Sequence, residues 1–170
     1  MPGSVIGKVL NLGYIGKISR DADAIVINRI VSDESEAIDF GAAVFLNDDN
    51  TVRNVVLSGE PGEETSTDTV DKFVGIAVAE VVQATEYTQQ ASAYLKNKGC
   101  DILVRGTVIV EMGTGTPKAG GKVYFNFTTG KFDATDPTTT KGFAIPARFT
   151  TGYVDGKGGV EITILERNLI

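Results

Sequence analysis

A chain of 170 residues, 42% hydrophobic and 22% charged, has the size of one soluble domain with a core of its own, or of one domain carrying an extended arm. Its net charge is −6 and unevenly spread: residues 1–72 hold 13 acids against 6 bases and the remainder 9 against 10, which argues against nucleic acid as a partner. With no histidine and one cysteine, Cys100, the chain has no intrachain disulfide, no imidazole to activate a nucleophile and no histidine metal site.

The N-terminus, MPGSVIGKVLNLGYIGK, lacks a basic segment followed by an unbroken apolar run, so it does not read as a signal peptide. No stretch approaches the ~20 apolar residues of a membrane helix. The expectation is a soluble protein made in a cytoplasm, with no membrane partner. Residues 1–22 set apolar side chains among glycines at 3, 7, 13 and 16, a spacing that disfavours helix. They read as an extended N-terminal arm that either packs back as an edge strand or lies on a neighbour, with residues 23–170 as a single β domain.

Ala24–Val31 is β-branched and predicts the first firm strand. Gly41–Asn47 and Val52–Leu57 flank Asp48-Asp49-Asn50, which suits a hairpin turn. Residues 58–71, SGEPGEETSTDTVD, predict an exposed acidic loop. Phe73–Val82 is apolar at nearly every position, as in a strand covered on both faces or lying at a subunit interface. Ala84–Lys98 reads either as the one short helix, with Tyr87, Ala91, Tyr94 and Leu95 on one side, or as a long loop anchored by its two tyrosines.

The stretch from Asp101 to Ala134 is the centre of the pattern: a long strand over Ile102–Met112 with Gly106 as a bend or bulge, a Gly/Pro turn, then Gly121–Phe127 and Lys131–Ala134 around a Thr-Thr-Gly turn. Gly142–Arg148 continues extended, Pro146 placing it at an edge or bulge. Phe149–Val154 and Val160–Leu165 enclose a glycine-rich turn, and Val160, Ile162 and Ile164 alternate with Glu161 and Thr163 as in a half-buried strand. The fold class expected is mainly β, an antiparallel β-barrel or β-sandwich with an extended N-terminal arm and at most one short helix.

Chemistry finds little support. The turn at Gly115–Lys122 fails as a phosphate loop, because Gly121 displaces the lysine and a strand follows instead of a helix. Asn47–Asn50 lacks the alternating spacing and distal glutamate of a calcium loop. Glu80, Glu111 and Glu161 are the candidates for a carboxylate pair, and strand alternation puts them on the solvent side. Cys100 reads as a small apolar filler. No catalytic, cofactor-binding or metal-binding residue is expected, and no enzyme.

The order GYIGKISRDADAIV, DFGAAVFLN, FVGIAVAEV, GCDILVRGTVIVEM, AGGKVYFNFTTGKF and IPARFTTGYVDGKGGVEITI resembles that of the capsid decoration, or structural cement, proteins of tailed bacteriophages, from about Gly13 to Leu165. The resemblance implies a non-enzymatic virion protein on the capsid exterior, present in the host cytoplasm during assembly. Its partners would be the phage major capsid protein and itself, as a homotrimer. It implies as well that Gly13–Arg20 contacts a capsid subunit or protomer, through Tyr14, Ile15, Lys17, Ile18 and Arg20. The alternative is a β-sandwich binding module for carbohydrates or cell surfaces, against which stand the absence of tryptophan and the placement of most Tyr and Phe within apolar strands.

Overall fold

The computed structural model describes residues 12–58, 66, 68–79, 93–137 and 141–166. Its strands are β1 (Ile18–Ile30), β2 (Ile38–Asp39), β3 (Ala43–Leu46), β4 (Val52–Arg53), β5 (Phe73–Ala77), β6 (Ala93–Tyr94), β7 (Gly99–Glu111), β8 (Lys122–Asn126), β9 (Phe132–Asp133), β10 (Gly142–Val154) and β11 (Gly159–Ile164), with one 3-10 turn at Val70–Lys72. The mainly β expectation holds, in the form of a curled antiparallel half-barrel. Most of the helix-or-loop span 84–98 lies outside the described residues; its end, from Ala93, forms β6 and a turn.

Nine strands make one sheet in the order β4-β3-β5-β7-β11-β10-β8-β9, with β1 added along β7, and β2 and β6 pair separately. The strand β7 is the common member. It pairs with β1 from Gly99 to Val108, with β5 at Ile102 and Leu103, and with β11 from Gly106 to Glu111. The sheet curls far enough that β9 returns to the end of β7, where Gly113 donates to the Phe132 carbonyl (2.9 Å) and Ala134 to that of Thr114 (2.9 Å). Likewise β4 meets the end of β1 through a parallel bridge, Val31 to Val52.

Alternation along the shared strands feeds two cores. Leu103, Val108 and Val110 of β7 point into the larger one, together with Phe45, Phe73 and Ile76. Cys100, Ile102 and Val104 of the same strand point into the smaller one, with Val44, Val74 and Ala77. This is why Phe73–Val78 is apolar throughout: both of its faces are covered within the chain. The larger core is built on Phe125, whose ring centroid lies 5.8 Å from Phe45, 5.5 Å from Phe132 and 6.3 Å from Phe143. Burying a ring of this kind contributes about 1.5–3 kcal/mol.

Two sequence expectations change. The two strands read at Gly142–Arg148 and Phe149–Val154 are one, β10, and its register against β8 shifts between Ala144 and Arg148, the span that contains Pro146. Strand β11 is not half-buried: Glu161 is only 7% exposed, because it sits opposite the buried Ile109 on a strand flanked by β7 and β10. On that same side of the sheet, hydroxyls of Thr107, Thr163 and Thr150 form a ladder with spacings of 3.2 and 2.8 Å. Residue 22, the boundary read between arm and domain, lies within β1.

Gly106, read as a bend or bulge, keeps its register with β11 and lies opposite an irregularity in β1. Its φ is +126°, and a Cβ there would lie 2.9 Å from the Ala24 Cα of β1. Only glycine meets both conditions at low cost. Gly106→Ala is expected to lower the unfolding free energy by about 2–3 kcal/mol, read as a shift in the urea midpoint.

Candidate functional site

The segment from Gly13 to Arg20 lies on its own sheet. A turn brings the Lys17 amide to the Tyr14 carbonyl (3.2 Å), after which Gly16 donates to Ile109 (2.8 Å) and Ile109 to Lys17 (3.0 Å). The Gly16 carbonyl accepts from Ala79 (3.0 Å). At this crossing Gly16 has φ +83° and a Cβ would come 2.8 Å from that of Phe40, so the glycine permits the backbones to touch. The five candidate contact residues therefore divide. Ile15 and Ile18 are half-buried, Ile18 against the larger core, while Tyr14, Lys17 and Arg20 are exposed, Tyr14 by 57%.

A second polar constellation was not anticipated. Arg53 on β4 donates to both carboxylate oxygens of Asp68, at 2.8 Å through Nη1 and in a short contact through Nη2, and its Nε donates to Asn47 Oδ1 (2.7 Å). Its guanidinium stands 5.9 Å from the Phe45 ring centroid. Asp68 accepts further bonds from the Val56 amide (3.2 Å) and the Ser66 hydroxyl (3.2 Å). Although it belongs to the stretch read as an exposed acidic loop, Asp68 is 5% exposed. The pair ties that stretch to β4 and underlies an open cleft of about 490 Å³ between Ser32–Glu36 and Asn54–Leu57. A sequence reading had one clue, the lone arginine among the acids of this region, and no means of choosing its partner.

The remaining candidates are engaged structurally. Glu111 pairs with Lys131 (2.5 Å), and Glu80 lies outside the described residues. In the Gly115–Lys122 turn, Gly120 donates to Phe149 (2.8 Å) and Gly121 to Lys118 (2.8 Å), so these amides serve the fold. The Asp48-Asp49-Asn50 turn is the hairpin between β3 and β4, closed by Asn47 donating to the Thr51 carbonyl (2.9 Å) and by Asp49 accepting from the Thr51 amide (3.0 Å) and hydroxyl (2.6 Å). Cys100 is fully buried in the smaller core, where burial and then the neighbouring Asp101 charge push its thiol up to about 12.

Among the described residues, the polar groups followed above serve turns, a hairpin and ion pairs of the β body. Residues 1–166 match the family described as "Structural cement protein (E217 gp24/Pam3 gp6)", and the chain belongs to that phage capsid family. Among solved structures it is similar to a chain of "The capsid of Myoviridae Phage XM1", with a TM-score of 0.66 and 14% identity over 98% of both chains, a likeness of fold. No curated protein matches.

Two outcomes test these assignments. The Cys100 thiol is expected to ignore a disulfide reagent in the native protein at pH 8 and to react fully in denaturant. For Asp68, burial raises its carboxyl, but the bonds from Arg53, Val56 and Ser66 and the Arg53 charge outweigh this and hold it below the ordinary 3.8. A depressed folded value means stability present above the unfolded value and lost as pH falls through the folded one. Wild type should therefore lose more stability than Asp68→Asn as pH is lowered from 5 to below about 3, in urea titrations at each pH.

Proposed function

We propose that this protein binds the outer surface of the major capsid shell and stabilises the phage head, without catalysing a reaction. The observation that carries the reading is the family match, which spans residues 1–166. The physical form of the chain agrees with it. Two cores sharing β7 make a body stiff enough to transmit load between capsid subunits. A net charge of −6 suits the face of a shell turned away from packaged nucleic acid.

Within this reading the segment Gly13–Arg20 is a contact surface, with Ile15 and Ile18 fixing it to the sheet and Tyr14, Lys17 and Arg20 presented to a capsid subunit or a second protomer. An anchored segment loses less conformational entropy on docking than a free arm, for which each ordered residue costs about 1–2 kcal/mol. Self-association as a homotrimer multiplies modest contacts into avidity.

Purified protein added to expanded capsids lacking it should bind to saturation at fixed stoichiometry and raise the temperature of DNA release. Sedimentation should give a species about three times the 18.0 kDa chain mass. Capsids that take up no protein would overturn the reading, and a monomer at all concentrations would overturn its trimeric part.

A further inference from the structure

The strand register sets three cations in one row across a face of the sheet. Lys122 of β8 pairs with Arg148 of β10, Arg148 with Thr163 of β11, Thr163 with Thr107 of β7, and Thr107 with Arg20 of β1. Directly opposed residues of neighbouring strands share a face. At a strand spacing of about 4.8 Å, Arg148 and Arg20 stand about 14 Å apart with the two threonines between them, and Lys122 adjoins Arg148. All three cations are exposed. Among the described residues none of them enters an ion pair, since the pairs run Arg53–Asp68, Lys72–Asp48, Lys96–Asp33, Arg105–Asp23 and Lys131–Glu111. Two acids border the row: Glu166 lines the same hollow as Lys122 and Arg148 without an ion pair to either, and Glu161 is 7% exposed. Like charges directly opposed on neighbouring strands are destabilising, so Lys122 and Arg148 carry a cost that an incoming anion removes.

The hollow beside these two cations, about 250 Å³, is lined by Ala144, Pro146 and Leu165, the last 50% exposed. A second surface has the opposite charge and a similar apolar companion. Glu34 and Glu36 are exposed on the loop after β1 and belong to none of those ion pairs. They border the cleft of about 490 Å³ beside Val56 and Leu57, which are exposed by 52% and 39%. Of the other charges around this loop, Asp33 is taken by Lys96, while Asp39 and Lys98 offset each other in number. One copy cannot join its own two surfaces. Arg20 lies opposite Thr107, whereas the loop leaves the far end of β1, where Ile30 lies opposite Gly99. The length of β7 from Gly99 to Thr107 puts about 26 Å between them.

We propose that the basic row of one copy receives the Glu34–Glu36 rim of a second copy, head to tail, and that three such contacts close a ring; this rests on the trimeric part of the reading above. A threefold ring needs two different, complementary patches on each copy, because no patch meets itself across it. These two surfaces meet that need. Each sets exposed charge beside exposed apolar side chains, and the charges are opposite in sign. Contact of Leu165 with Val56 and Leu57 supplies apolar burial, and the charges fix partner and register.

Two double variants at exposed positions test the contact: Lys122→Glu with Arg148→Glu, and Glu34→Lys with Glu36→Lys. Each sets like charges against one another and should trimerise on the order of tenfold or more weakly than wild type in sedimentation. The chain carrying all four substitutions has opposite charges again, with the signs exchanged, and should trimerise within a few-fold of wild type. A double variant that trimerises like wild type overturns the proposal, and so does a fourfold variant no better than the weaker double variant. If the Lys122 and Arg148 variant stays trimeric but no longer binds capsids, the proposal falls in favour of the capsid protein as occupant. Should a variant fail to fold by circular dichroism, salt decides on wild type alone: trimerisation weakens severalfold from about 0.05 to 0.5 M NaCl, or the proposal falls. Wild type that is a monomer at every concentration marks failure of the trimeric reading. A wild-type trimer indifferent to these charges marks failure of the patch assignment alone.

Discussion

Everything in this fold depends on β7 being shared. One strand supplies side chains to both cores, and three other strands hydrogen-bond along its length. A strand with both faces buried cannot shift register by one residue without exchanging the side chains of the two cores. The lock is therefore mutual, and at Gly106 the missing side chain lets the β1 backbone approach while β11 pairs along the other edge. Replacing any of these contacts perturbs both halves of the molecule, which suits a part whose role is mechanical.

Much of this was legible because local rules and tertiary demands coincide. The hairpin at Asp48-Asp49-Asn50, the irregularity at Pro146 and the doubly covered run beginning at Phe73 each carry their cause in the residues themselves. What escaped depends on partners distant in the chain. Alternation alone gives Glu161 a solvent face, and only the flanking of β11 by β7 and β10 removes it. Asp68 looks like one more acid in a polar loop until Arg53, fifteen residues earlier, is seen to hold it. Composition assigns a segment to a class; it does not pair individual charges.

The segment Gly13–Arg20 shows the same limit from the other side. Its glycines and apolar residues fit an arm on a neighbour as well as a strand on its own domain, and the deciding bonds run to Ile109 and Ala79, far away in sequence. Docking on the home sheet is compatible with the external contact proposed for it. It sorts the segment by side chain, with the isoleucines spent on the anchor and Tyr14, Lys17 and Arg20 left outward.

The pairing of β1 with β7 has a consequence for how the protein is made. Ile30 sits opposite Gly99, so β1 has no β7 to pair with until some seventy residues more have been synthesised. At roughly 5–20 residues per second, that leaves an apolar strand unpaired for several seconds on every nascent chain. The acids concentrated in residues 1–72 belong to the part of the molecule that exists during the wait, and like charge of this kind works against association of one such segment with another.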